Sequence, residues 1–363
     1  MEYRFEDILE IRNGKNQKAV ENPEGRYPIY GSGGVIGYAD DYICEADTII
    51  IGRKGSINNP IYVSEPFWNV DTAFGLSVKK DLVLPRYLYY FCKRFDFEKL
   101  NKTVTIPSLT KSDLLKIKIN LPVKDEQQAI IDKLMKIESI MEFRKTELDY
   151  LDVLIKARFV EMFGDPITNP KEWKMVELGK LTTIGSSKRI FEKEYVSEGI
   201  PFYRTKEIVE LSKGNSISTE LFITKERFFE IKDKYGVPKK GDLLVSAVGT
   251  IGVIWIVDGS NDFYFKDGNL IRVDASEKFD SVYMKNLLEN LIDDYKKQMS
   301  TGTAYTALTI SGLTKLKVYD VPIELQNQFS EFVYQVDKSK VAVQKALDET
   351  QILFDSLMQK YFG

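Results

Sequence analysis

The sequence contains no histidine in 363 residues. Without imidazole, serine–histidine and cysteine–histidine nucleophiles are excluded, as are imidazole acid–base catalysis and most zinc-hydrolase sites. Only two cysteines occur, Cys44 and Cys92, and they form no Cys-x-x-Cys motif. A disulfide framework and a zinc knuckle are therefore not predicted, and the cysteine content fits a reducing cytoplasm.

Long apolar runs are also missing. No stretch approaches the roughly 20 apolar residues of a membrane span, and the first seven residues have no basic segment leading into an apolar run. We therefore expect a soluble, cytoplasmic protein with no membrane partner. The 51 basic and 54 acidic residues give a net charge of −3, so any basic surface for nucleic acid must be local.

An internal repeat is the most informative feature that is present. Residues 109–118 (LTKSDLLKIK) align with residues 308–317 (LTISGLTKLK), an offset of 199. Met162-Phe163-Gly164 aligns with Tyr361-Phe362-Gly363 at the same offset. With 43% hydrophobic residues, the chain has enough apolar side chains for two ordinary cores.

One long helix is predicted near the end of each repeat, over residues 125–162 in the first and 325–361 in the second. Both segments lack Gly and Pro and are rich in good helix formers. Alternating steps of four and three residues define an apolar seam in each helix, and the two seams match at offset 199. The predicted seam residues are Ile130, Leu134, Ile137, Met141, Leu148, Leu151 and Ile155, and Phe329, Val333, Val336, Val343, Leu347, Phe354 and Leu357.

A heptad seam of this length is typical of a helix that buries its apolar stripe against a partner helix, although each helix could instead pack on its own globular domain. Two seams in the same register favour mutual pairing, and the intervening domain favours an antiparallel pair. The predicted fold class is α+β: two globular mixed α/β domains separated by a pair of long antiparallel coiled-coil helices, with pseudo-twofold symmetry. The predicted boundaries are 1–122 and 165–322 for the globular domains and 123–164 and 323–363 for the helices.

Glycine turns follow apolar strands at corresponding places in the two halves, residues 47–56 and 241–252. Near these turns lie loops that combine basic, polar and aromatic residues, the side chains that reach base edges and phosphates in DNA. Taken singly, each loop is better explained as an ordinary solvated loop, and its position near a glycine turn and a strand end is what favours DNA binding. The candidate DNA-binding residues are Tyr30, Ser32, Arg53, Lys54, Ser56, Asn58 and Asn59, and Tyr203, Arg204, Lys206, Ser246, Thr250, Thr303 and Tyr305.

Motifs for catalysis are incomplete. The glycine-rich segment 31–37 lacks the Gly-Lys-Ser/Thr ending of a nucleotide-binding loop. Asn59-Pro60-Ile61-Tyr62 is similar to the Asn-Pro-Pro-Tyr motif of amino-methyltransferases, but its third residue is Ile and no cofactor loop precedes it. We predict no catalytic residue, cofactor or metal ion for this chain.

Taken together, the repeated motifs resemble those of the specificity subunit of type I restriction-modification systems. The resemblance covers essentially the whole chain and rests on the following segments: Gly241–Gly252, Ile106–Leu109, Leu121-Pro122, Glu126-Gln127-Gln128 and Met162–Pro166, with counterparts of the middle three in the second half. Two positions depart from the pattern, Asn327 and Thr306, and both concern the entry to the second helix rather than function.

The resemblance implies that each globular domain is a target-recognition domain that reads one half of a split DNA sequence. It also implies that the helices space the two halves and bind two modification (methyltransferase) subunits, with restriction (ATP-dependent translocase and nuclease) subunits joining that core. Cofactor binding and catalysis would belong to those partners. Two alternatives stay open: a coiled-coil adaptor that binds no DNA, which the net negative charge favours, and a self-contained methyltransferase or nuclease.

Overall fold

The computed structural model describes residues 1–101, 106–299 and 307–363. It divides into two compact units. The first unit comprises Met1–Glu147 with Val343–Gly363, and the second comprises Leu148–Ala342. Each long helix therefore contributes one segment to either unit. None of the helices in the described part of the chain is long and apolar enough to cross a membrane.

The globular part of the first unit is built mainly from short strands. They are β1 (Glu2–Arg4), β2 (Leu9–Asn13), β3 (Tyr27–Gly31), β4 (Gly34–Ala39), β5 (Thr48–Gly52), β6 (Ile61–Val63), β7 (Trp68–Asn69), β8 (Ala73–Val78) and β9 (Lys118–Asn120). Its helices are α1 (Phe5–Ile8), α2 (Pro85–Arg94), α3 (Lys111–Leu115) and the first part of α4 (Lys124–Phe163), with a 3-10 turn at Phe97–Leu100.

These strands form an antiparallel sheet of order β2-β8-β5-β6, a smaller sheet of order β4-β3-β7 and the antiparallel pair β1-β9. Within the smaller sheet, β3 runs antiparallel to β4 and parallel to β7. Every residue of β5 is buried because the core lies on both of its faces. Ile49 and Ile51 belong to the main core with α1 and α2, and Ile50 belongs to a second apolar cluster.

The second unit repeats this pattern. Its strands are β10 (Met175–Glu177), β11 (Ile184–Gly185), β12 (Ile200–Tyr203), β13 (Phe222–Ile223), β14 (Leu243–Ser246), β15 (Ile254–Ile256), β16 (Tyr264–Phe265), β17 (Leu270–Val273) and β18 (Lys317–Tyr319). Its helices are α5 (Leu178–Leu181), α6 (Thr205–Ser212), α7 (Lys225–Tyr235), α8 (Ser281–Met299), α9 (Ile310–Lys315) and the first part of α10 (Ile323–Phe362), with a 3-10 turn at Glu192–Glu194.

Strand order and strand direction correspond in the two units. The larger sheet of the second unit has the order β11-β17-β14-β15, the smaller sheet has the order β13-β12-β16, and β10 pairs with β18. In the smaller sheet β12 is antiparallel to β13 and parallel to β16, as β3 is to β4 and β7. The predicted α+β class with an internal repeat is confirmed. The second unit differs mainly by the added helices α6 and α7.

In the first unit, the start of α4 packs against the end of α10. Leu134 lies in one apolar cluster with Phe354, Met358 and Tyr90 of α2. Further along α4, the Arg144 guanidinium donates hydrogen bonds to the Ala346 carbonyl and to the Thr350 hydroxyl. Because later residues of α4 meet earlier residues of α10, the two segments run antiparallel. Arg144 and Thr350 interrupt the two apolar seams, and the hydrogen bond between them gives each polar side chain a partner.

In the second unit, the end of α4 packs against the start of α10. Phe159 and Phe163 are fully buried and make edge-on contacts with Phe329 at ring-centroid distances of 5.5 and 5.6 Å. Lys340 forms an ion pair with Asp152, so the segments again run antiparallel. Near Phe159 the buried stripe lies one residue beyond the stepped seam, because this end of the helix packs on the globular core as well as on α10.

None of the fourteen predicted seam side chains is exposed. Both sequence interpretations therefore describe part of each helix: the ends pack on a globular core and the middle packs on the other helix. Six seam residues are buried, namely Leu134, Ile155, Phe329, Val333, Val336 and Phe354. Eight are half-buried, namely Ile130, Ile137, Met141, Leu148, Leu151, Val343, Leu347 and Leu357.

A buried glutamine in the first turn of each long helix ties the helix to its globular core. Gln127 donates to the carbonyls of Leu82 (3.0 Å) and Pro122 (2.9 Å) and accepts from the Leu84 amide (2.9 Å). Gln326 donates to the Val321 carbonyl and accepts from the Asp280 amide in the second unit. Both glutamines thus hold the segment that leads into the helix α2 or α8.

Gln127→Leu should destabilise the first unit by about 1–3 kcal/mol, because it removes the hydrogen-bond partner of the part-buried Leu84 amide and of two carbonyls. Hydrogen–deuterium exchange of the peptide that contains Leu84 measures the effect locally, and faster exchange is expected. Gln128→Leu is the matched control, since Gln128 is exposed and its side chain hydrogen bonds Asp132 one turn away on the same helix. Equal exchange in both variants would contradict the assigned role.

Candidate nucleic-acid interface

The candidate residues that the structure describes lie at or beside the same two topological positions in each unit. One position is the connection within the antiparallel strand pair, β3–β4 in the first unit and β12–β13 in the second. The other is the loop that follows the buried central strand, residues 53–60 after β5 and residues 247–253 after β14. The predicted loops therefore lie at equivalent places in two units that have the same strand order.

In the first unit, Gly52 allows these two loops to meet. A Cβ at this position would collide with the Ser56 carbonyl and would lie 3.1 Å from the Ser32 Cβ. The turn of the β3–β4 hairpin therefore lies directly against the end of β5. Ser32 and Ser56, which the sequence places 24 residues apart, become neighbours.

The loop after β5 presents two cations. The Arg53 backbone amide donates to the Thr72 carbonyl (2.7 Å), and its guanidinium donates to the Asp71 carbonyl (3.4 Å). The first bond fixes the backbone and the second holds one guanidinium nitrogen, while Arg53 as a whole stays exposed. Lys54 is exposed and forms no ion pair with any residue that the structure describes. The loop thus offers charge and hydrogen-bond donors to a ligand in solution.

Asn58 and Asn59 in this loop play different parts. Asn58 donates to Asp96 (3.2 Å) and accepts from the Phe97 amide (2.7 Å), so its side chain fixes the loop to the turn after α2. Asn59 is exposed.

Tyr30, at the end of β3, is half-buried, and the centre of its ring lies 5.4 Å from the centre of the Phe67 ring. Its pKa is raised above the ordinary value, mainly by burial and to a smaller extent by the negative charge of the nearby Glu65.

In the second unit, Lys206 and Thr250 line one shallow concavity, although 44 residues separate them. Both side chains are exposed. The start of α6 forms one wall of the concavity, and the loop after β14 forms the other. The remaining lining residues are Thr205, Val209, Glu210, Val248, Gly249 and Asn269.

Tyr203 and Ser246 are buried and serve the core instead of the surface. Tyr203 is 7% exposed, and its ring stacks on Phe263 at 4.6 Å between centroids. Ser246 is fully buried; its hydroxyl donates to the Thr250 carbonyl and accepts from the Val253 amide, which closes the loop after β14. We leave both out of the interface. The candidates Thr303 and Tyr305 lie outside the described residues.

Arg204 is engaged with Glu207, a carboxylate that is 2% exposed. The guanidinium donates to Glu207 at 2.9 Å, and the Arg204 backbone amide donates at 2.8 Å. Burial by itself raises the pKa of Glu207, but the hydrogen bonds from Arg204 outweigh it and lower this pKa below its ordinary value. Arg204 therefore neutralises a buried charge at the start of α6.

Several residues beside these loops are not among the candidates predicted from the sequence. Asn269 lies in the turn between β16 and β17, after Gly268 with its φ of +73°, and the Asp-Gly dipeptide at residues 267 and 268 is the sequence signal of this turn. Val35 and Ile36 flank the glycines of the first hairpin. Among the described residues, no group of three or more Cys, Asp or Glu side chains lies close enough together to hold a metal ion.

An internally duplicated α+β protein, with two loop surfaces on equivalent scaffolds and two long helices, is the class that these observations define. The family model of the type I restriction modification DNA specificity domain matches residues 1–151 and 170–350. The chain belongs to this family. Its two matched segments correspond to the two halves of the internal repeat.

Curated relatives agree with this assignment. A putative type I restriction enzyme specificity subunit, S.HindORF215P of Haemophilus influenzae, is 27% identical over 98% of this chain and 92% of the relative. The type I restriction enzyme MjaIX specificity subunit of Methanocaldococcus jannaschii is 25% identical over 85% of this chain and 74% of the relative. Both similarities extend through both units.

Solved structures show the same fold. A crystal structure of the type I restriction-modification S subunit from M. genitalium superposes with a TM-score of 0.59 at 19% identity and covers 100% of this chain and 96% of that one. A chain from a structural study of complex assembly and conformational transition in the type I R-M system gives a TM-score of 0.64 at 16% identity, covering 100% and 97%.

Arg204→Ala should lower the free energy of unfolding at pH 7 by about 1 kcal/mol, a modest value because the Arg204 side chain is 41% exposed and screened by solvent. Since Glu207 has a lowered pKa in the folded state, its stabilising effect is present above its unfolded pKa and is lost as the pH falls through the folded pKa. Urea unfolding at pH 7 and at about pH 3 measures the difference.

The same comparison on a Glu207→Gln background is the control, because a neutral glutamine needs no cation. The cost of Arg204→Ala should be smaller there and independent of pH. A cost of Arg204→Ala that is equal at pH 7 and at about pH 3 in the Glu207 protein would contradict the charge pairing.

Proposed function

We propose that this chain is the DNA-recognition subunit of a type I restriction-modification complex and that each unit reads one half of a two-part target. The observation that carries the proposal is the convergence of exposed polar and basic side chains on the same two loops in both units. Loops on a constant scaffold can change their base contacts without changing the core.

The two loop surfaces offer different chemistry. The first has Arg53 and Lys54 with Ser56 and Asn59. Arginine suits bidentate bonding to guanine, lysine suits phosphate, and asparagine suits adenine. The second has Lys206, Thr250 and Asn269 around a concavity that also contains Glu210. Dissimilar side chains at equivalent positions favour two dissimilar half-sites, and hence an asymmetric target.

The long helices offer a surface for partner subunits. Val153 and Leu154 are exposed on α4, and Ile352 and Leu353 are exposed on α10 at the same offset of 199 residues. Exposed apolar pairs of this kind commonly mark protein contacts. Because the pair occurs twice, we propose that two copies of the modification (methyltransferase) subunit bind, one at each pair.

In this proposal the chain contributes recognition and assembly, and the partners contribute catalysis. Modification subunits would bind the methyl donor, and restriction (ATP-dependent translocase and nuclease) subunits would join the complex to cleave DNA. The site of action would be the cytoplasm, where double-stranded DNA is accessible to such a complex. The chain itself would need no cofactor.

Arg53→Ala and Lys206→Ala test the two loop surfaces separately. If Arg53 forms a bidentate base contact, its removal should cost about 1–3 kcal/mol and relax the preference at one position of one half-site only. Lys206→Ala should affect the other half-site. Affinities are measured at fixed salt with the assembled complex and duplexes that carry single base changes in either half.

Lys118→Ala is the matched control, since Lys118 is an exposed cation paired with Glu2 on the β1–β9 ladder, away from both loops. Its affinity and specificity should equal those of the wild type. If Arg53→Ala and Lys206→Ala behave like this control, the two residues belong to ordinary solvated loops. If the wild-type complex binds no DNA specifically, the adaptor alternative is favoured.

Ile352→Glu should remove one modification subunit and leave the other bound, because the equivalent pair on α4 is unchanged. Native mass spectrometry of the co-expressed complex gives the stoichiometry directly. Gln351→Glu adds the same charge at the neighbouring exposed position and should retain both subunits. Retention of both subunits in Ile352→Glu would disprove the proposed docking pair.

A further inference from the structure

The β3–β4 hairpin ends in two exposed aliphatic side chains. Val35 is 50% exposed and Ile36 is 57% exposed. Glycines at positions 33 and 34 precede them, so the turn is narrow and carries little besides these two side chains. We call Val35 and Ile36 the aliphatic tip. Solvent exposure of two adjacent β-branched side chains is unfavourable in the free protein.

A β-bulge creates this arrangement. Ile29 pairs with Gly37 and Tyr30 pairs with Val35, so Ile36 has no opposite residue on β3. In a regular strand, Val35 and Ile36 would point to opposite faces of the ribbon. The bulge changes the direction of the chain locally, and bulges commonly serve to redirect a side chain. The Ile36 side chain lies beside Gly31, 3.6 Å from where a Cβ of residue 31 would be, which is an ordinary van der Waals distance.

The aliphatic tip lies beside the cationic loop of the same unit. Ser32, in the hairpin turn, lies against Gly52, and Arg53 and Lys54 follow directly. An apolar protein partner would have to bury these two cations, whereas DNA would neutralise them with its phosphates. The charge next to the tip therefore favours a nucleic acid as the occupant.

Within duplex DNA, the major groove fits the hairpin best, because it is wide enough for a two-stranded β-ribbon. The apolar group that a base pair presents in this groove is the C5-methyl group of thymine, and aliphatic side chains contact it favourably. We propose that Val35 and Ile36 read thymine methyl groups in the half-site bound by the first unit. This inference rests on the proposed function and adds the chemical group that is recognised.

The second unit has a different device at the equivalent position. There the β12–β13 connection spans residues 204–221 and contains α6 with the exposed Lys206 instead of a glycine turn. The aliphatic tip is therefore an attribute of the first unit alone. It would contribute to the asymmetry of the target.

Deoxyuridine substitution tests this contact, because it removes only the methyl group of thymine. The complex of this chain with its modification subunits is bound to its mapped target, and each thymine of the first half-site is replaced in turn. For at least one thymine we expect about fourfold weaker binding, the order expected for one buried methyl group. Fluorescence anisotropy at fixed salt gives the dissociation constants.

Ile36→Ala and Val35→Ala complete a double-mutant cycle with this DNA. At least one variant should bind the thymine target about fourfold more weakly and lose most of its response to deoxyuridine. Val123→Ala, at an exposed aliphatic position before α4, should respond to deoxyuridine as the wild type does. Unchanged affinity for non-specific DNA shows that the variants are folded.

The inference is overturned if no thymine replacement in this half-site weakens wild-type binding, if both tip variants keep the full response, or if the half-site contains no A·T pair. Each of these results leaves sequence-specific binding, and so the proposed function, intact. Absence of any specific DNA binding by the wild-type complex would contradict the proposed function instead.

Discussion

Neither long helix can bury its apolar stripe alone, and the architecture of both units follows from this constraint. Leu134 of α4 is buried with Phe354 and Met358 of α10 in the first unit. Phe159 of α4 is buried against Phe329 of α10 in the second. Each unit thus joins helical segments that are distant in the sequence. Arg144 and Thr350 do not break this packing, because they hydrogen bond each other across the two helices, and Lys340 of α10 pairs with Asp152 of α4.

The globular cores are connected to these helices by a repeated polar device. Gln127 and Gln326 occupy equivalent positions and hydrogen bond the segments that lead into α2 and α8. Around this fixed frame, the central strands β5 and β14 are buried at every residue. The loops after those strands face solvent, so packing places few limits on their side chains. A constant frame with variable loops suits two different recognition surfaces.

Much of the frame was predictable from the sequence, because its signals are periodic and repeated. The helices extend over 40 residues each, close to the predicted limits, since uninterrupted helix formers leave little choice. Near Phe159 the buried side chains lie one residue beyond the positions that the steps of four and three predict. A regular spacing predicts the buried face of a helix that packs on one partner, whereas this end of α4 packs both on α10 and on the globular core.

The loops were predictable in position but less so in detail. Tyr203 and Ser246 have side chains typical of base contacts, yet both are buried, because which face of a short strand meets the core depends on the rest of the sheet. The Asn58 side chain is already hydrogen bonded to Asp96 and to the Phe97 amide, residues almost 40 positions away in the sequence. Asn269 joins Lys206 and Thr250 only through the fold. Such pairings leave no local trace in the sequence.

The central claim is that two units on one frame read the two halves of the target independently. The most direct measurement replaces residues 166–322 with the matching segment of another family member and maps the sites that the assembled complex modifies, by long-read detection of methylated bases. The account predicts new bases in one half-site, with the other half-site unchanged. Altered bases in both half-sites would contradict it.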